Sequence, residues 1–468
     1  MPIGIGVSRA GREPPLLDAG LLAGVVSVRG RVRSVPVVAA LSPSTYAPLG
    51  EGDIREALLE FCGVGNRFVG SEGELAAREW LLGALAEAGL VGVRAESFEV
   101  LGYQPRSSSC LVVPDGRGFP TAGFQLTAAG TVEAEAVYIG RPQSPEDIVA
   151  LDRQGIELRE RIVVLNSFFS YLFIDELMAR GPVGIVVISD VRDGLIGQYS
   201  ALMYPPPEAP DFAGRPLPIP GVTVELEAGH ELLSLLSAGP VRVRIEHGAA
   251  YAATETANVV GELPGASEEI VVVGAHYDTQ LESHGYCDNG SGISALVNMA
   301  RSWRALDLHR TIVFIAFADE EHGSPGATDW CRRHRDLLDR TVAMVNLDAL
   351  GWAYPSAKKN LFVDPSLEAF ALESAAALRW HADVVVEGNS FPGYDCNPFL
   401  DGGVPTAWFW RFPPQHPYYH SAGDTPDLLD YGMITGTANV SAYTALRLAQ
   451  EPGLSLGRAR PSRTWLEL

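Results

Sequence analysis

Three short apolar runs most constrain what this chain can fold into: residues 270–273 (Ile-Val-Val-Val), 312–317 and 342–345. Each is continuous rather than alternating, so each reads as a strand buried on both faces. Between the first two, residues 292–306 carry helical spacing. This alternation predicts an α/β fold: a mostly parallel central sheet with helices on both faces. At 468 residues the chain exceeds one core, so more than one domain is expected.

Each run stops at residues suited to metal binding or proton transfer. His276 and Asp278 follow the first, Glu320 and Glu321 end the second, and Asp348 ends the third. Working residues of open α/β sheets sit beyond the carboxyl ends of the strands. Asp288, in Asp288-Asn-Gly-Ser-Gly292, stands just ahead of a helix, where the N-terminal dipole suits its charge. Tyr419-His420 comes much later. Two imidazoles and several carboxylates, spread over about 145 residues, imply a site assembled by the fold rather than by a local loop. That donor set suits zinc, and the surplus carboxylates suit two zinc ions.

Taken singly, each residue has an ordinary reading. A lone His after a strand is usually structural, and Asp-Asn-Gly-Ser-Gly is usually a turn. Paired glutamates are usually a solvated face, Asp348 could cap a helix, and Tyr419 could be a core or rim aromatic. Their joint placement at strand and helix ends argues for one centre.

Upstream, Ser71-Glu-Gly-Glu74 reads as a capping box before a helix over 75–88, with a strand over 91–100. Residues 105–250 differ in texture. Strand-like runs (162–165, 185–188) flank a short helical stretch at 173–180, and proline-rich turns follow at Pro205-Pro-Pro207 and 216–220. No cluster of metal-ligand types falls here. The organisation expected is therefore a catalytic domain from 51–105 and 250–468. An inserted, smaller β-rich α/β domain occupies 106–249, and residues 1–50 form an unassigned N-terminal extension.

The net charge of −22 disfavours nucleic acid and anionic membrane as partners. It mildly favours cationic substrates such as a free amino terminus. Five scattered cysteines, with no C-x-x-C pair, fit a reducing compartment better than a disulfide framework. No run is long enough for a transmembrane segment, and residues 16–28 make a poor signal peptide. The location expected is cytoplasmic, or secreted if a true start upstream carries a signal. The oligomeric state is left open.

The motifs Gly274-Ala-His-Tyr-Asp278, Asp288-Asn-Gly-Ser-Gly292, Glu320-Glu321, Asn346-Leu-Asp348 and Tyr419-His-Ser-Ala-Gly-Asp424 resemble the co-catalytic zinc aminopeptidases. Glutamate carboxypeptidase II and transferrin-receptor-like proteins belong to the same superfamily. The resemblance covers about 50–100 and 250–450. It implies one zinc on His276 and Asp348, a second on Glu321 and His420, and Asp288 bridging both. It implies Glu320 as general base, Tyr419 as oxyanion donor and Asp278 as the carboxylate that orients a metal-bound imidazole. The implied function is removal of N-terminal residues from a peptide substrate. Residues 157–166, 179–190 and 219–224 resemble the protease-associated domain of many relatives.

Three positions depart from the family pattern: Cys287, Cys396 and the stretch His322-Gly-Ser-Pro-Gly-Ala327. Cys287 and Cys396 read as packing residues, and Arg411 as a solvated or stacked cation rather than a carboxylate binder. The other activities to weigh on this fold are carboxypeptidase action and glutaminyl cyclisation. No Arg cluster near the motifs announces the first. For the second, relatives tend to carry Trp before the last His and to lack the insert. A non-catalytic receptor or scaffold would have lost ligands that are present here.

Overall fold

The computed structural model describes residues 41–113, 115–166, 173–202, 215–387, 394–412 and 417–459. Most of the N-terminal extension and the turn at Pro205-Pro-Pro207 lie outside them.

The three apolar runs form neighbouring parallel strands. Ile270–His276 lies between Thr311–Phe317 and Thr341–Asn346, with Phe317 opposite His276 and Asn346 opposite Gly274. Thr406–Phe412 adds a fourth parallel strand, with Trp408 opposite Asn346. Val271, Val272 and Val273 are wholly buried. β-branched residues suit a pleated surface packed on both sides, and each such side chain contributes roughly 1.5–3 kcal/mol of burial. Antiparallel pairings flank this parallel centre. Arg242–Leu263 borders Thr311–Phe317, and Lys358–Val363 borders Thr406–Phe412.

One face of the sheet meets helices Glu51–Cys62, Glu72–Glu87, Gly292–Trp303 and Tyr431–Gln450, through a core that includes Phe61, Leu81, Leu296 and Leu446. The other face meets Pro325–Arg333 and Cys396–Asp401, through Phe317, Trp330 and Phe399. The expected α/β layering is thus observed.

The Ser71 side chain accepts from Glu74 N–H at 3.1 Å, as a cap should. Glu74 does more than reach back to the turn. It is fully buried, and its Oε1 accepts from the Tyr277 hydroxyl (2.7 Å) and the Thr256 hydroxyl (3.0 Å). The helix start is therefore fastened to the strand end beside His276.

Residues 106–249 contribute two apolar clusters of their own, one around Val164, Val186 and Ile245 and one around Leu165, Ile185 and Leu177. Their parallel strands Ile162–Leu165, Gly184–Ile188 and Gly221–Val224 are joined to the main sheet by Gly130–Tyr138, which pairs with Arg242–Leu263. Val38 to Leu468 forms one compact unit. Among the described residues no helix is long and apolar enough to cross a membrane.

Candidate metal centre

His276 closes its strand, Asp348 lies two residues past Asn346, and Glu320–His322 forms a short turn three residues past Phe317. Parallel neighbours place all three at the same sheet edge. Asp288 arrives on the turn before Gly292–Trp303, where the Asp288–Asn289 peptide is cis. Asn289 fixes that turn: its Nδ2 donates to Leu347 O (2.8 Å) and its Oδ1 accepts from Gly292 N–H (2.9 Å). A side chain at Gly292 would strike Leu347 O at 2.2 Å, so the close approach of the two loops requires glycine there. Ser291 Oγ accepts from Leu350 N–H at 3.1 Å and completes the tie.

The five predicted ligands converge. His276, Asp288 and Asp348 offer ligand atoms all within 4.8 Å of one another, and so do Asp288, Glu321 and His420. Asp288 belongs to both groups and turns one oxygen to each. Its Oδ1 lies 3.1 Å from His276 Nε2, and its Oδ2 lies 3.6 Å from His420 Nε2. His276 Nε2 is 3.4 Å from Asp348 Oδ1, and His420 Nε2 is 2.9 Å from Glu321 Oε2.

The residues fit a pair of cations. Both imidazoles are surrounded by carboxylate oxygens, yet among the described residues none of their four buried ring nitrogens has a well-aligned hydrogen-bond partner. Buried carboxylates crowd this point, among them Asp278, Asp288, Glu320, Glu321, Asp348 and Asp395. The charges that bear most on Asp288, Glu320, Glu321, Asp348 and Asp395 are one another, Asp278 and the two imidazoles. Buried charge of one sign demands compensation, and coordinated metal supplies it.

Electrostatics sort the members. Burial pushes the Glu320 carboxyl well above the carboxylate range; His276 opposes this, and Asp395, Asp348 and Glu321 add to it. Burial also raises Asp288, but the two imidazoles outweigh it and hold Asp288 below its ordinary value. Burial disfavours a charged His420, but Glu321 beside it prevails and lifts the ring to about 9. Burial, then Asp288 and Glu321, keeps the Tyr419 hydroxyl protonated far above its usual range.

Asp278 lies 3.5 Å from His276 Nδ1. It also accepts from the backbone N–H of Glu320 (3.0 Å) and of Glu321 (3.3 Å). It therefore fixes the turn that carries both glutamates. Cys287 and Cys396 are buried, neither belongs to the ligand groups, and the Cys287 thiol donates to Gly351 O. Arg411 Nη2 donates to Ala357 O.

Sequence reasoning gave no role to Asp424, Asp395, Asn289 or Ser291. Asp424, Asn289 and Ser291 stood within quoted motifs, which was the available signal. Asp395 is brought near His276 and Asp348 by the fold alone.

Fold and site together define an α/β protein with a buried, two-part carboxylate–imidazole centre at the ends of its parallel strands. Residues 258–445 match the model of peptidase family M28. It is 28% identical over 263 residues to aminopeptidase YwaD of Bacillus subtilis, covering 53% of this chain and 56% of that protein. It is 24% identical over 354 residues to a glutamate carboxypeptidase 2 homolog of Caenorhabditis briggsae, covering 58% and 44%. The chain spans about half the length of the curated relatives it matches. Two solved structures share the fold. A peptidase M28 precursor from Shewanella amazonensis has a TM-score of 0.69 and 21% identity, covering 88% of this chain and 95% of that one. A zinc aminopeptidase from Bacillus subtilis has a TM-score of 0.66 and 18% identity, covering 88% and 98%.

Proposed function

We propose that this chain is a zinc-dependent aminopeptidase that hydrolyses N-terminal residues from peptides. One observation carries the reading: Asp288 turns one carboxylate oxygen toward each of two ligand groups, which suits two cations about a shared bridge. His276 and Asp348 would hold one ion, and Glu321 and His420 the other. The relatives named as aminopeptidases support the choice of reaction.

When bound, the two zincs would polarise the scissile carbonyl and lower the pKa of the attacking water. Glu320, with Oε2 at 4.0 Å from His276 Nε2, takes the proton of that water and passes it to the leaving amine. Tyr419 keeps its proton and donates a hydrogen bond to the oxygen on which charge develops. Asp278 holds the Glu320–Glu321 turn in place meanwhile.

The surroundings favour an amino terminus over a carboxy terminus. The centre is dominated by carboxylates, which attract an ammonium group, and Arg411 is engaged by Ala357 O. The separate apolar clusters and parallel strands of 106–249 support an inserted protease-associated-like domain. The test is a panel of aminoacyl, carboxy-terminal and N-terminal glutamine substrates, with and without chelator. Chelator-sensitive cleavage of the aminoacyl substrates is expected. Preference for either other class, or full activity in chelator, would reject the assignment.

A further inference from the structure

Residues 106–249 reach the centre through Gln125 and the segment that carries Arg192 and Gln198. Gln125 is fully buried, and its backbone is paired with the 199–201 segment through Tyr199 O (3.0 Å) and Ala201 N–H (2.9 Å). Its Nε2 donates to Gln280 Oε1 at 2.8 Å. Gln280 Nε2 donates in turn to Glu321 O (3.1 Å), and the Gln280 backbone N–H donates to Glu321 Oε1 (3.2 Å). The Gln125 Oε1 lies 2.9 Å from His322 Nε2, and His322 Nδ1 lies 2.6 Å from Asp319 Oδ1. Glu321 O can only accept, which fixes the amide orientation of Gln280 and then of Gln125. Gln125 therefore offers His322 an acceptor, and the imidazole donates from both nitrogens. His322, which opens one of the three departures from the family pattern, is thus a clamp between the insert and the Glu320–Glu321 turn.

A second tie reaches the other ligand. Gln198 N–H donates to His420 O at 2.8 Å, and Arg192 N–H donates to Pro417 O at 3.0 Å. Tyr418 hydroxyl is bonded to Asp193, and the Tyr199 ring lies 6.3 Å from the His420 ring. Ser189 Oγ accepts from Val191 and Gly197 N–H and shapes the loop that makes these contacts. His420 itself sits at φ 54°, a left-handed conformation costly for a non-glycine residue, so an outside restraint is needed to hold it. By contrast, His276 and Asp348 take their support from the sheet. Leu347 N–H donates to Gly274 O, and Trp408 Nε1 donates to Asp348 O.

We propose that the 106–249 block positions Glu321 and His420, and so sets the affinity for one cation of the pair independently of the other. Gln125 and Gln280 are the positioning residues. The inference rests on the two-cation reading given above.

The test is titration of the metal-free full chain with Zn2+ alone, against a chromophoric chelator. Wild-type protein should bind two equivalents. Folded Gln125→Met, checked by far-ultraviolet circular dichroism, should bind one equivalent at least about tenfold more weakly, with the other unchanged. Gln280→Met breaks the next link and should behave alike; it decides the matter if Gln125→Met does not fold. The weakened equivalent should be the one that His420→Ala abolishes. Gln125→Met added to His420→Ala should then leave the remaining equivalent as tight as in His420→Ala alone. Equal weakening of both equivalents, or of neither, in a folded variant would overturn the positioning role while leaving the two-cation reading intact. A wild-type chain that binds fewer than two equivalents would overturn both.

Discussion

The carboxylate of Asp424 accepts a hydrogen bond from the backbone N–H of Asp288 at 3.1 Å, across 136 positions of sequence. It accepts a second from Cys287 N–H at 3.0 Å. The shared ligand is therefore aimed by a residue four positions beyond His420.

Removing that acceptor should loosen both halves of the centre. Asp424→Ala leaves two buried N–H groups without partners, at a cost of about 1–3 kcal/mol each. Zinc affinity at both equivalents should fall about 10–100-fold. Asp424→Asn keeps one acceptor oxygen and should be milder. Urea unfolding and zinc titration check the pair; unchanged affinity in Asp424→Ala would show that Asp288 is aimed by its own turn.

Asp288→Ala should lose both zinc equivalents, since one carboxylate faces both groups. His420→Ala should lose only one. Zinc content after dialysis separates the two outcomes, and a normal content in Asp288→Ala would contradict the bridge.

Glu320→Gln is expected to retain zinc and fold yet lose roughly 10²–10⁴ of its turnover, the usual contribution of a positioned base. The kcat on an aminoacyl substrate is the measurement. Turnover near wild type would remove Glu320 from the chemistry.

Glu74 is buried and holds the Tyr277 and Thr256 hydroxyls. Glu74→Leu strands both and should destabilise the protein by about 1.5–3 kcal/mol. Denaturant midpoints at constant m-value would register it.

His247 is buried, with Nδ1 3.3 Å from Ser108 Oγ and, among the described residues, no partner on Nε2. Burial pulls its pKa down to about 4. The unfolded chain binds this proton from about pH 6.5 downward, and the folded chain only near pH 4. Stability from the neutral ring is thus complete above pH 6.5 and is lost as pH falls toward 4, by up to about 3 kcal/mol. His247→Phe should flatten that slope; an unchanged slope would place the acid sensitivity elsewhere.

Local chemistry made much of the molecule legible. Continuous Val/Ile runs announced the parallel strands, and polar residues at their ends announced the ligands, because strand ends at one sheet edge must lie together. Ser71 announced a helix start for the same local reason. The roles of Glu74 and Asp424, and the second role of Asp278, were not legible. Glu74 looked like a capping residue, yet its buried oxygen serves Tyr277 and Thr256. Asp278 stands beside His276, and it also holds the Glu320–Glu321 turn, which nothing local announced.

The sequence by itself determined which elements form and which residue types stand at their ends, since periodicity and propensity act over a few neighbouring positions. Only the tertiary structure decided where each buried polar atom found its partner. That depends on which loops meet, and the insert's Gln125, 155 positions from Gln280, could be matched to it only after folding had brought both out of water.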